Sequence, residues 1–220
     1  MPNYTHDLEQ AGRNVAVAMN TPEWPVPEPY RKAITGELTA DNLTIVSRVI
    51  TGVLRIDPLL RATNPSLRSD DEALQLRGQR QIDLVHARAD MVVRRVRACE
   101  LVARIVMPEN FMKEVEDACP DYVDEQSRRL DQAVADGWEV RIAPTDEFDK
   151  RVAMLGSDFA TTLVFQGMSG DPTSGVYFGT KPTVPRATHE FWCPGTNFAK
   201  FDLDVYGDLK DVARDYAKDI

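Results

Sequence analysis

Apolar side chains recur at helical spacing through much of the first half of the chain. Residues 8–19 place their apolar side chains on one face, and residues 39–55 repeat the same three- and four-residue intervals. Residues 69–89 open with a serine followed three residues later by a glutamate, a capping box that predicts a third helix. The pattern therefore predicts a helical N-terminal segment over residues 1–95.

From residue 101 the pattern changes to that of an α/β sheet. Residues 101–107 form a continuous apolar run that ends at Pro108, which is typical of a buried strand. Residues 121–135 have helical spacing and stop before Gly137, and residues 138–143 alternate as a strand does. A strand, a crossover helix and a second strand make a βαβ unit, so we expect these two strands to be parallel.

Short apolar segments separated by turn residues occupy the C-terminal part. They predict antiparallel strands at residues 151–155, 161–165, 176–178 and 188–192. Residues 204–218 have the spacing of a closing amphipathic helix. The predicted fold is α/β: a mixed sheet with one parallel βαβ unit, antiparallel C-terminal strands and a helical N-terminal segment. We expect residues 1–95 to serve dimerisation or docking and residues 96–220 to form the α/β domain.

Composition indicates an ordinary globular protein. The chain has 220 residues, of which 43% are hydrophobic, and no stretch approaches the roughly 20 apolar residues that span a bilayer. The first residues lack the basic and then apolar layout of a signal peptide, so we expect a cytoplasmic protein with no membrane contact. The net charge of −9 disfavours binding to phosphate backbones.

The charge is unevenly distributed along the chain. Residues 77–104 hold seven arginines against three acids, and residues 109–136 hold nine acids against three basic residues. The simplest interpretation is that the two blocks face each other across the fold or across a dimer. Arg94, Arg95 and Arg97 are also candidates to bind an acidic partner, a phosphate-bearing ligand or nucleic acid. Nucleic acid is the less favoured partner, since no helix-turn-helix pattern and no interleaved aromatic residues accompany these arginines.

Most familiar catalytic patterns are missing from the sequence. Three cysteines and three histidines lie far apart, at Cys99, Cys119, Cys193, His6, His86 and His189. This spacing favours reduced thiols and no metal site, and no phosphate loop or G-x-S-x-G elbow is present, so we expect no cofactor. Two alternatives stay open: a small hydrolase-like enzyme using His189, Glu190 and Asp158, and a DNA-associated regulator using the basic face of residues 77–104.

Residues 101–192 resemble one half of a phospholipase-D-like domain. The signature of that family is His-x-Lys, four residues, Asp, and then often Gly-Ser; here Lys150 and the pair at 156–157 are in place. Phe148 stands where the nucleophilic histidine belongs, and Leu155 stands where the aspartate belongs. The resemblance implies a catalytically dead version, because the covalent intermediate forms on that histidine. Such versions serve as sensor or dimerisation modules in microbial transcription regulators.

These patterns together predict a non-catalytic regulatory or ligand-sensing protein. We expect it to act as a homodimer or with a protein partner, through the helices predicted at residues 39–55 and 69–89. The ligand would be a small anion, and the residues predicted to bind it are the cationic side chains of Lys150, Arg151, Arg94, Arg95 and Arg97.

Overall fold

The computed structural model describes residues 4–20, 26–47, 64–111, 113, 120, 123–155, 159–166, 174–180, 190–194, 207 and 209–218. Its helices are α1 (Tyr4–Met19), α2 (Glu28–Thr39), α3 (Glu72–Arg97), α4 (Val123–Ala135) and α5 (Thr145–Leu155). Its strands are β1 (Asn42–Ser47), β2 (Val102–Pro108), β3 (Glu139–Ala143), β4 (Phe159–Gln166), β5 (Gly175–Thr180), β6 (Glu190–Pro194) and β7 (Arg214–Asp215). Single 3-10 turns occupy Pro65–Arg68 and Tyr216–Lys218.

The strands form one mixed sheet in the order β6-β5-β4-β1-β2-β3-β7. The central pairs β1–β2 and β2–β3 are parallel, and the remaining pairs are antiparallel. The predicted α/β fold is confirmed, as are the βαβ unit β2-α4-β3 and the antiparallel strands predicted at residues 161–165 and 176–178. Of the strand predicted at 188–192, residues 190–192 belong to β6, and residues 188 and 189 lie outside the described part of the chain. The chain contains a second parallel unit, β1-α3-β2, that the sequence pattern did not predict.

Strand β1 contradicts the helix predicted over residues 39–55. Asn42–Ser47 form a strand between β4 and β2, and residues 48–55 lie outside the described part of the chain. Every residue from Leu43 to Ser47 is buried, because helices or neighbouring chain segments cover both faces of the sheet here. The centre of the sheet therefore comes from within residues 1–95, and the boundary expected at residue 95 falls inside α3.

Helix α3 begins with a different cap from the predicted one. The Asp71 side chain accepts a hydrogen bond from the Ala73 N–H at 2.8 Å, and the Ser69 hydroxyl instead accepts the Asp71 N–H at 3.1 Å. An aspartate at this position satisfies a backbone donor that the helix leaves unpaired. The helix also runs to Arg97, well beyond the end expected near Ala89.

Two C-terminal predictions are wrong. Residues 151–155, predicted as a strand, form the last part of helix α5. Residues 204–218, predicted as one helix, are helical at 209–212 and then form the short strand β7 and a 3-10 turn. Residues 204–206 and 208 lie outside the described positions.

The parallel strands present two different faces. On the first face, the side chains of Leu43, Ile45 and Ile105 pack with helices α2, α3 and α4 in the main core. On the second face, the register aligns Thr44 with Arg104 in one row and places Val106 in the next row. The end of the second face nearest the strands' carboxyl ends is apolar and is covered by a cluster of Val46, Val106, Ala143, Phe148 and Leu209.

Candidate functional site

The residues predicted to bind a ligand do not converge on one place. Arg94, Arg95 and Arg97 occupy the last turn of α3, which packs on the first face of the sheet. Lys150 and Arg151 lie on α5, whose Phe148 packs on the second face. The sheet therefore separates the two groups of cations.

Arg95 holds the end of α3 against its neighbours. Its side chain is only 7% exposed, its Nη1 donates to the Glu37 carbonyl at 2.8 Å, and its Nη2 donates to the Glu100 carbonyl at 3.1 Å. Burial lowers the pKa of the Arg95 guanidinium from its ordinary value, while the carboxylates of Glu100 and Asp41 act in the opposite direction. A guanidinium bonded to two backbone carbonyls links α2 to the turn before β2.

The neighbouring arginines are also engaged inside the molecule. Arg97 Nε donates to Asp136 Oδ1 at 2.8 Å, and Arg94 Nη1 lies 3.9 Å from Asp7 Oδ2. The pair of Arg97 and Asp136 joins the basic block to the acidic block within one chain. This contact supports the interpretation that the two blocks face each other across the fold.

Lys150 lies on the exposed side of α5, among acidic residues of its own helix. Its Nζ donates to Glu147 Oε1 at 2.6 Å and lies 3.8 Å from Asp146 Oδ2. The hydrogen bond to Glu147 raises the pKa of the Lys150 ammonium, with the charge of Glu147 as the next contribution. Arg151 is half-buried beside it. A ligand at Lys150 would compete with two carboxylates for the same ammonium group.

Phe148 fills the place where α/β proteins most often bind their ligands. Ligands in such folds lie beyond the carboxyl ends of the parallel strands. Here Phe148 and Leu209 are fully buried and pack against Val46, Val106 and Ala143 at that edge. The Phe148 N–H donates to the Pro144 carbonyl at 2.9 Å, which fixes the first turn of α5. This cluster makes its part of the edge an apolar core, and the polar Ser47 is buried at the end of β1 beside it.

The residues of the hydrolase alternative fall largely beyond what the structure describes. Asp158 and His189 lie outside the described residues, and Glu190 is the first residue of the edge strand β6. Within the described ranges, no group of three histidine, cysteine or acidic side chains is placed to hold a metal ion. Over the same ranges, no helix has both the length and the apolar character needed to cross a bilayer.

A shallow cleft of about 460 Å³ opens at the amino ends of the parallel strands. Its lining residues are Asp41, Asn42, Arg95, Cys99, Glu100, Leu101 and Val102. Two carboxylates and one cation give this cleft a net negative charge. The guanidinium of Arg95 is bonded to backbone carbonyls there, so the cleft itself is unsuited to an anion.

Beside this cleft, the second face carries a group of charges that sequence reasoning missed. Glu139 Oε2 accepts a hydrogen bond from Arg104 Nε at 3.2 Å, and its Oε1 accepts one from Arg141 Nε at 3.1 Å. Lys210 Nζ lies 3.8 Å from the same Oε1. Three cations therefore surround one carboxylate. We refer to Arg104, Glu139, Arg141 and Lys210 as the Glu139 cluster.

The parallel register brings the strand members of the Glu139 cluster together. Arg104 of β2 pairs directly with Glu139 of β3, and Arg141 lies two residues further along β3, on the same face. Lys210 reaches them from the helical residues 209–212. One signal was available in the sequence: Arg104 interrupts an apolar strand, which requires a polar environment on one face.

Comparison with known proteins identifies no relative of this chain. No protein-family model, curated protein or solved structure matches it. The resemblance of residues 101–192 to phospholipase-D-like domains therefore stays a prediction.

Proposed function

We propose that the chain is a non-catalytic, ligand-sensing regulatory protein. The observation that carries this proposal is the burial of Phe148 in an apolar cluster at the carboxyl ends of the parallel strands. A catalytic site at this edge would need polar or ionisable groups facing a space open to substrate. Phe148 and its apolar neighbours fill their part of this edge, and the charged residues Glu109 and Arg214 beside it are ion-paired with each other at 3.5 Å.

The regulatory output would pass through a homodimer or a protein partner. Leu74 and Leu76 in the first two turns of α3 are exposed and would add apolar contact area to such an interface. Helix α3 was one of the surfaces expected to serve docking. The alternative of a DNA-associated regulator is less well supported, because Arg95 and Arg97 are bonded within the protein.

Turnover measurements test the non-catalytic part of this proposal. The purified chain, with bis(4-nitrophenyl) phosphate as a phosphodiester substrate, is expected to release no nitrophenolate above the buffer rate. The variant Phe148→His restores the residue type of the resembled family. We expect it to be inactive as well, because residue 148 has no exposed surface. Turnover that a single truncation such as His189→Ala abolishes would refute the proposal in favour of the hydrolase alternative.

Mass spectrometry tests the sensing part. Protein purified from its native host is measured under native conditions and again after denaturation. We expect a small anionic molecule to be retained in the first spectrum and released in the second. Two results together would contradict a sensing role. The native mass would equal that of the bare chain at every protein concentration, and added anions would leave thermal unfolding unchanged.

A further inference from the structure

Within the described residues, the guanidinium groups of the Glu139 cluster keep N–H donors that Glu139 does not use. We infer that the second face of the sheet binds a small molecule through a phosphate group held by Arg104, Arg141 and Lys210. This inference rests on the proposed ligand-sensing function and assigns its ligand class and its site. The site differs from the positions that the sequence predicts, which are Lys150 and Arg151 on α5 and Arg94, Arg95 and Arg97 in the last turn of α3.

Glu139 accepts a hydrogen bond from the Nε of Arg104 and from the Nε of Arg141, and leaves their other N–H donors for further partners. Arg141 contacts the carboxylate through Nε, and within the described residues neither of its two Nη nitrogens has an acceptor. Arg104 uses Nε for Glu139 and Nη1 for Asn42 Oδ1 at 3.3 Å, which leaves its Nη2 available over the same part of the chain. The two Nη nitrogens of Arg141 and the one of Arg104 supply N–H donors of the kind that bind the oxygens of a phosphate group.

The charge of the cluster also matches a phosphate group. Within the cluster, three cations against one carboxylate leave a surplus of two positive charges, which Asp215 on the adjacent strand partly offsets, on a chain whose net charge is −9. A phosphate monoester carries about −1.5 to −2 at neutral pH, so it would neutralise this surplus, whereas a single carboxylate would not. Asp215 lies opposite Arg141 on β7 but forms no ion pair with it, and its Oδ1 accepts the Ala217 N–H at 3.2 Å.

The surroundings of the cluster favour a small organic phosphate. Val102 lies next to Arg104 on the same face and is 49% exposed, and Lys210 has 47% of its side chain exposed. Val102 and Asn42 also line the neighbouring cleft, and Arg104 is bonded to Asn42, so the cleft adjoins the cluster at Arg104. An exposed valine beside positioned guanidinium groups provides an apolar contact for the rest of the ligand.

Titration calorimetry at low ionic strength tests the inference. The probes are inorganic phosphate and glycerol 2-phosphate, with acetate as the monoanionic comparison. We expect phosphate to bind the wild type at least about tenfold more tightly than acetate does. Arg141→Gln and Lys210→Gln should each weaken phosphate binding by about tenfold or more, since a charge-assisted hydrogen bond contributes at least a decade of affinity. Lys210 is exposed, so its variant tests the site even if Arg141→Gln is poorly folded.

Arg129→Gln is the matched control. Arg129 is also ion-paired with a glutamate, Glu125, at 3.4 Å, but it lies on α4, which packs on the first face. We expect its affinity for phosphate to equal that of the wild type. Equal affinities for wild type, Arg141→Gln and Lys210→Gln would overturn the inference, as would a loss caused by Lys150→Gln instead. Binding of a short DNA duplex, abolished by Arg141→Gln, would assign the surface to nucleic acid and would also overturn it.

The two proposals fail in different ways. If Arg141→Gln and the wild type both retain the same ligand from the native host, the sensing function is supported and this site is refuted. Phosphodiester turnover together with phosphate binding that depends on Arg141 and Lys210 would refute the non-catalytic function and support this site.

Discussion

Helices α3 and α4 end in the same left-handed turn, with a different residue at its centre. Cys99 has a φ of 59° and Gly137 a φ of 98°. In α3 the Cys99 N–H donates to the Val96 carbonyl at 3.0 Å, and the Glu100 N–H donates to the Arg95 carbonyl at 2.9 Å. In α4 the Gly137 N–H and the Trp138 N–H make the equivalent two bonds, both at 3.0 Å. This is the Schellman motif, which favours glycine because a Cβ is strained at positive φ. Cys99 therefore holds a strained backbone.

Replacing Cys99 by glycine should stabilise the protein. We expect Cys99→Gly to raise the free energy of unfolding by about 0.5–1 kcal/mol, as relief of the strain exceeds the extra chain entropy of glycine. The reciprocal change Gly137→Cys should lower it by about 1 kcal/mol, because a Cβ there meets Val96 at an ordinary contact distance of 3.6 Å and adds only backbone strain. Urea unfolding followed by circular dichroism measures both. Destabilisation by Cys99→Gly would show that the thiol contributes more than its strained backbone costs.

At the scale of elements, a buried ion pair joins α2 to α3. Arg88 Nε donates to Glu37 Oε2 at 2.7 Å, and its Nη2 bonds the other carboxylate oxygen. The same guanidinium lies over the Tyr30 ring, 4.7 Å from its centroid, and Nη1 bonds the Tyr30 hydroxyl. The Glu37 carbonyl accepts from Arg95, so both ends of Glu37 are fixed on α3. Such pairs cost desolvation energy, and loss of one partner exposes that cost.

Removing Glu37 alone should be far more damaging than removing the pair. We expect Glu37→Ala to lower the free energy of unfolding by about 3–5 kcal/mol, since it leaves the Arg88 guanidinium buried without its carboxylate. The double variant Glu37→Leu with Arg88→Met should recover most of that loss. Lys32→Ala removes the exposed pair with Glu28 on the same helix and should change stability by less than about 0.5 kcal/mol. Equal losses for Glu37→Ala and Lys32→Ala in urea unfolding would disprove this role.

Two of the elements that the sequence predicted correctly have a single buried face, and a third, β2, was recognised as a short apolar run that ends at Pro108. Helix α4 and strand β3 show periods of 3.6 and 2, because one side of each faces the core. Strand β1 is buried on both faces, and the three-residue spacing of its Leu43 and Val46 fits a helix as well as a strand. The sequence does not show which neighbours will cover β1. Residues 151–155 were assigned wrongly for the same reason, as a short apolar run does not distinguish a strand from the end of a helix.

The candidate site was harder to predict than the fold. Arg104 and Glu139 are 35 positions apart in the chain, and Lys210 lies in its C-terminal part. Only the parallel register of β2 and β3 brings the first two side chains together. Arg94, Arg95 and Arg97 are close in sequence, and closeness in sequence was the reason to predict that they form one site. Adjacent residues of a helix point in different directions, however, and these three arginines pair with different elements.

At the scale of the whole molecule, the C-terminal segment closes one edge of the sheet. Strand β7 pairs antiparallel with β3, and the following 3-10 turn brings Tyr216 against the core and α4. The Tyr216 hydroxyl donates to Asp131 Oδ1 at 2.9 Å. Burial, the hydrogen bond and the Asp131 charge together raise the pKa of Tyr216 to about 12 from its ordinary value of 10.

This raised pKa makes the closure sensitive to alkaline pH. Below pH 10 the Tyr216 hydroxyl is neutral in both the folded and the unfolded chain, so its contribution to the free energy of unfolding is fully present. Between pH 10 and 12 the hydroxyl ionises in the unfolded chain but not in the folded one, which favours unfolding. The contribution is therefore lost as the pH rises through about 12. The free energy of unfolding of the wild type, minus that of Tyr216→Phe, should therefore be constant from pH 7 to about 9 and fall between pH 10 and 12. At neutral pH the variant should lose about 0.5–1 kcal/mol for its hydrogen bond. Asp131→Asn should lower the pKa of Tyr216 only part of the way back to 10, since burial is the largest cause of the shift. Tyrosinate absorbance measures this pKa, with Tyr216→Phe as the reference that accounts for the other tyrosines. A difference that stays flat to pH 12 would mean that Tyr216 titrates alike in the folded and unfolded chain.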